Sequence, residues 1–83
     1  MGWLDFLFGR KKKSGDGSSA AQAVVVSGIA EEYQWIRLNC SGFMPHMQAL
    51  KHIDGKPYDV LTLRNESGEE RVVYFDISNF FGH

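Results

Sequence analysis

YDVLTLRNESGEERVVYFDI, residues Tyr58 to Ile77, decides the fold. It holds two β-rich runs, Tyr58–Arg64 and Arg71–Ile77, joined by the polar segment Asn65–Glu69. That is the pattern of a β-hairpin. A three-residue loop with Gly68 in the left-handed region sets Arg64 opposite Glu70. Leu61 and Leu63 then share a face with Val73, Phe75 and Ile77. A slip of one residue would set Arg64 against Arg71 and Asp59 against Asp76, and like charges facing across a ladder are unfavourable.

Upstream, Asp54-Gly55 is a tight-turn signal, with a third strand expected over Met47–Ile53 before it. Pro57 lacks an amide donor and is tolerated near a strand start. Phe43–His46, which contains Pro45, reads as a connection. Ser27–Asn39 reads as a helix, with Ser27 as N-cap, Glu31 and Glu32 in the first turn and Arg37 near the far end. Its expected inward stripe is Ile29, Tyr33, Ile36 and Cys40, and Gly42 supplies a stop. Trp35 and Leu38 fall off that stripe, which leaves open a second contact for the helix or a strand over Tyr33–Leu38. Ala23–Val26 is either an edge strand or an extended lead, and Ser78–Phe81 reads as a single turn.

The expected architecture is α+β: one helix packed on a three-stranded antiparallel meander, with a flexible N-terminal tail. Residues 1–13 form an amphipathic and basic tail, 14–22 a Gly/Ser/Ala-rich flexible linker, and 23–83 a small domain. Eighty-three residues make at most one domain with a thin core. The hydrophobic content of 43% is that of a globular chain rather than a disordered one.

Net charge is −1, which does not suit a general nucleic-acid binder, so no nucleic acid is expected. The positive charge sits in the tail, at Arg10, Lys11, Lys12 and Lys13. Trp3, Phe6 and Phe8 precede it, and Leu4, Leu7 and Phe8 share one helical face. Such a segment can solvate the chain, enter the interface of an anionic membrane, or dock in a groove of this protein or of a partner. A myristoylation signal is rejected because Phe6 stands where Ser or Thr is required. No apolar run is long enough to span a bilayer, and charge follows the first apolar stretch instead of preceding it as in a secretory signal. Cys40 alone allows no internal disulfide and favours a reducing compartment. A cytoplasmic protein is expected.

The candidate chemistry does not converge. Cys40 with His46 or His52 lacks a third group to orient a base, and Cys40 lies on the apolar stripe. His46, His52 and His83 are too dispersed for one metal ion. Asp54 is explained by its turn, and Asp59 and Asp76 point to opposite faces of the hairpin. Gly15-Asp16-Gly17 precedes linker, not a phosphate-binding helix. No catalytic or metal site and no cofactor is expected. A lone helix covers one sheet face, leaving Tyr58, Val60, Val72 and Tyr74 on the other, to be covered by the N-terminal tail, a second copy or a partner, or to bind a ligand or peptide.

The opening MGWLDFLFGRKK is similar to the short MGxxDxLFGxKK starts of many bacterial proteins, over about thirteen residues. From about Glu31 to Gly82, DGKPYDVLTL and GEERVVYFDISNFFG resemble a family of small uncharacterised bacterial domains with the closing pattern YFDIS-x-FFG. That resemblance implies no activity. The expectation is a non-enzymatic accessory or interaction domain with a protein partner or a homodimer, and a weak membrane or partner anchor at its N-terminus. A small ligand- or peptide-binding module is the alternative, and a small enzyme ranks last.

Overall fold

The computed structural model describes residues 14–82. Strand β1 (Val24–Val25) leads into helix α1 (Ile29–Asn39), followed by β2 (Met44–Ile53), β3 (Lys56–Arg64) and β4 (Glu70–Asp76). They form one helix and a four-stranded mixed sheet of order β1-β4-β3-β2. The α+β class stands, and β2, β3 and β4 make the expected antiparallel meander. The strand count is corrected from three to four. β1 pairs in parallel with β4, Val24 against Phe75 and Val25 against Asp76. Its partner is so distant in sequence that only the path of α1 and the two hairpins brings the edges together.

Both hairpins follow from their turns. Arg64 faces Glu70 and Leu61 faces Val73, the register that avoids like charges. Gly68 takes φ 84°, and the Asn65 N–H and Gly68 N–H bonds to Glu69 O and Asn65 O, both 3.0 Å, close the loop. The Arg64–Glu70 ion pair at 2.9 Å is half-exposed and contributes little, below about 1 kcal/mol. In the other hairpin Asp54 and Gly55 take φ 52° and 79°, both positive as a two-residue type I′ turn requires, with Ile53 opposite Lys56.

Three local expectations are corrected. Strand β2 begins at Met44, not Met47. A bulge between Pro45 and Met47 lets the chain bring proline into an edge strand, where its missing donor costs no ladder bond. Gly28, not Ser27, is the N-cap of α1 and gives no side-chain cap; Glu31 Oε1 instead accepts from the Ser27 N–H at 2.8 Å. The buried stripe of the helix is Glu32, Ile36 and Cys40, whereas Ile29 and Tyr33 are largely exposed. Packing rotated the helix so that Trp35 meets Phe75 edge-on, with ring centroids 5.8 Å apart.

The core lies between α1 and the sheet. Leu61, Leu63, Val73, Phe75 and Ile77 meet Ile36, Cys40, Val24 and Val26. On the opposite face Tyr58 and Val60 are buried with Ala23, and Ala20, Ile53 and Tyr74 pack against them. Val72 remains exposed there.

The Gly/Ser-rich residues 14–22 lie against this frame. The Tyr74 N–H donates to Gly17 O at 2.8 Å, Gly15 N–H to Ala23 O at 2.9 Å, and Val25 N–H to Ser14 Oγ at 3.1 Å. Gly17 has φ 82°, and a β-carbon there would stand 2.7 Å from Val73 Cγ1. Glycine is what lets the segment approach the sheet this closely. The tail positions Trp3, Phe6, Phe8 and Arg10, Lys11, Lys12 and Lys13 lie outside the described residues.

Candidate functional site

Two carboxyls meet inside the helix–sheet interface. Asp59 alternates with Leu61 and Leu63 along β3 and so shares their inward face. Glu32 lies one turn before Ile36 on the buried stripe of α1. Glu32 is 1% exposed and Asp59 4%. Gln48, the cross-strand neighbour of Leu61 on β2, reaches diagonally to Asp59. Its Nε2 donates to Oδ1 at 2.8 Å and to Oδ2 at 2.9 Å.

Burial pushes the Glu32 carboxyl up to about 8, and the hydrogen bond to Asp59 and that residue's charge act in the same direction. Glu32 Oε2 receives no hydrogen bond from any described residue. A protonated carboxyl can itself donate, and Asp59 is the neighbouring group that favours the protonated form. At neutral pH burial therefore holds Glu32 as the neutral acid beside Asp59, which accepts two hydrogen bonds from Gln48. One helix and two strands meet at these three side chains.

A perturbed carboxyl beside a second one is a common feature of acid–base sites. This pair, however, is sealed from solvent, and a general acid must come within hydrogen-bond reach of a reactant. As built, it works as a structural hydrogen-bond network. Gln48→Leu should leave Asp59 without the two hydrogen bonds from the amide and cost about 2 kcal/mol in urea denaturation. A loss below about 0.5 kcal/mol would mean that water replaces the amide.

The other candidate residues are scattered. Cys40 is buried and ends α1. His46 and His52 lie on β2, where His52 packs edge-on to Phe81 at 5.4 Å, and His83 is outside the described residues. Asp54 forms the β2–β3 turn, and Asp76 Oδ1 accepts from the Ser78 N–H and Oγ. Among the described residues no three His, Cys, Asp or Glu side chains gather to hold a metal ion. Of the sheet-face residues, Tyr58 and Val60 are buried, Tyr74 is half-buried and Val72 is exposed.

In sequence Glu32 reads as a favourable first-turn charge. The 32–36–40 spacing was the available signal, since it places an acid on the same stripe as Ile36 and Cys40.

β2 is exposed along nearly its whole length. Among the described residues it pairs only with β3, and Met44, Met47 and Leu50 are 70%, 60% and 53% exposed. Met47 faces outward beside Thr62, and Leu50 lies on the helix side beside Asp59. No helix among the described residues is long and apolar enough to cross a membrane. No family model, curated protein or solved structure matches the chain.

Proposed function

We propose that the protein is a small non-enzymatic interaction domain of the cytoplasm that takes an extended protein segment onto the free edge of β2. The observation that carries this reading is β2 itself, ten residues long, hydrogen-bonded on one side and exposed almost throughout. An unpaired edge is a template for a further strand, and proteins normally blunt it with charge, proline or a bulge. Here Pro45 and the bulge guard one end, and Lys51 is the one Lys, Arg, Asp or Glu on the strand. Main-chain bonds would supply affinity, and apolar side chains either side of the pleat would supply selectivity. The strand carries His46, Lys51 and His52 and no acid, so the segment it suits alternates apolar residues with Asp or Glu.

Displayed random peptides selected on the full chain, with the Leu50→Lys variant as counter-selection, test this. Enrichment of extended apolar and acidic sequences is the expected result. Peptides retained equally by Leu50→Lys would overturn it. Sedimentation at rising concentration checks the other occupant. A dimer abolished by Leu50→Lys would make a second copy, rather than a foreign segment, the occupant of this edge.

A further inference from the structure

A groove of about 290 Å³ runs on the opposite side of the molecule, between β1 and α1. Val25 and Trp35 line it, Leu38 stands at its rim 75% exposed, and Glu31 adds a carboxylate. Ser14 is also part of its wall, where its Oγ accepts from the Val25 N–H. The thirteen preceding residues therefore join the described structure at the groove itself.

We propose that this groove is the docking site of the chain's own segment Trp3–Phe8. Phe8 is separated from Ser14 by Gly9 to Lys13, a tether that spans at most about 20 Å when extended. A tether of that length holds the segment at a local concentration on the order of mM, so even a weak contact is populated. Apart from Asp5, the chemistry of the segment and its tether matches the groove. Trp3, Leu4, Phe6, Leu7 and Phe8 are apolar like the groove, and Arg10–Lys13 carry charge opposite to that of Glu31. Charge balance favours the same partner, because residues 20–83 hold eight acids against five bases and the tail is basic. Docking covers Leu38 and Trp35, and it leaves β2 free at the far edge of the sheet.

Trp3→Ser in the full chain tests the assignment by amide NMR. The resonances of Val25, Glu31, Gln34 and Leu38 should shift, while those of Met47 and Leu50 stay in place. The shifts should not depend on protein concentration. Leu38→Glu alters an exposed position without touching the core, and it should move the Trp3 indole N–H to the position of a solvated indole. Unchanged groove amides in Trp3→Ser would overturn the proposal. So would groove shifts that fade on dilution, which would place the segment in a second copy. A Trp3 indole that responds to vesicles of anionic phospholipid but not to Leu38→Glu would assign the segment to a membrane surface and equally overturn it.

Discussion

Replacing Glu32 with Gln is expected to stabilise the domain at pH 8 by roughly 3 kcal/mol and to flatten its pH dependence between pH 5 and 8. The folded carboxyl titrates near 8, whereas the unfolded one titrates near 4.5. Between those values the folded state holds a proton that the unfolded state has released. Stability must then fall as pH rises, by up to about 1.4 kcal/mol per pH unit, and the fall ends above pH 8. A glutamine is neutral at every pH, and its amide can still donate to Asp59, so the variant escapes that loss. At pH 5 the two proteins should agree within about 1 kcal/mol. Urea denaturation at pH 5, 6, 7 and 8 measures both curves. Parallel curves would mean that Glu32 does not carry its proton through this window.

Phe75→Ala is expected to cost about 3–5 kcal/mol, and Phe75→Glu to unfold the domain. Phe75 is fully buried, packs between the sheet and α1, and receives the edge of Trp35. A domain this small has roughly 5–10 kcal/mol to lose. Tyr74, its neighbour in sequence, points to the other face and is only half-buried beside Ala20 and Ala23. Its N–H bond to Gly17 does not depend on the side chain. Tyr74→Glu should therefore cost about 1 kcal/mol and keep the fold, as read by circular dichroism and thermal melting. If Tyr74→Glu unfolds the protein as thoroughly as Phe75→Glu, the second sheet face is core as well.

These two variants separate what each level of structure contributes. Phe75 against Tyr74 was legible from strand alternation, and so were the Asp54-Gly55 turn and the Arg64–Glu70 register. Glu32 was not legible as a buried acid. Its burial depends on how far α1 rotates about its axis, and that rotation is set by Trp35 seating on Phe75 over Gly17 and Val24. The 32–36–40 spacing marks the stripe that carries Glu32, but its meeting with Asp59 and Gln48 required α1, β3 and β2 to converge.

The sequence by itself determined whatever depends on neighbours along the chain. Hairpin register is short-range, because turn residues and cross-strand charges lie within a few positions of one another. Helix existence and the inward set Leu61, Leu63, Val73 and Phe75 follow from periodicity in the same way. Only the tertiary structure decided the parallel pairing of Val24–Val25 with β4, the return of residues 14–22 onto Tyr74, and the burial of Glu32 beside Asp59. Each of these joins residues far apart in sequence. Their contacts become favourable only after the core between α1 and the sheet has brought the partners together and excluded water.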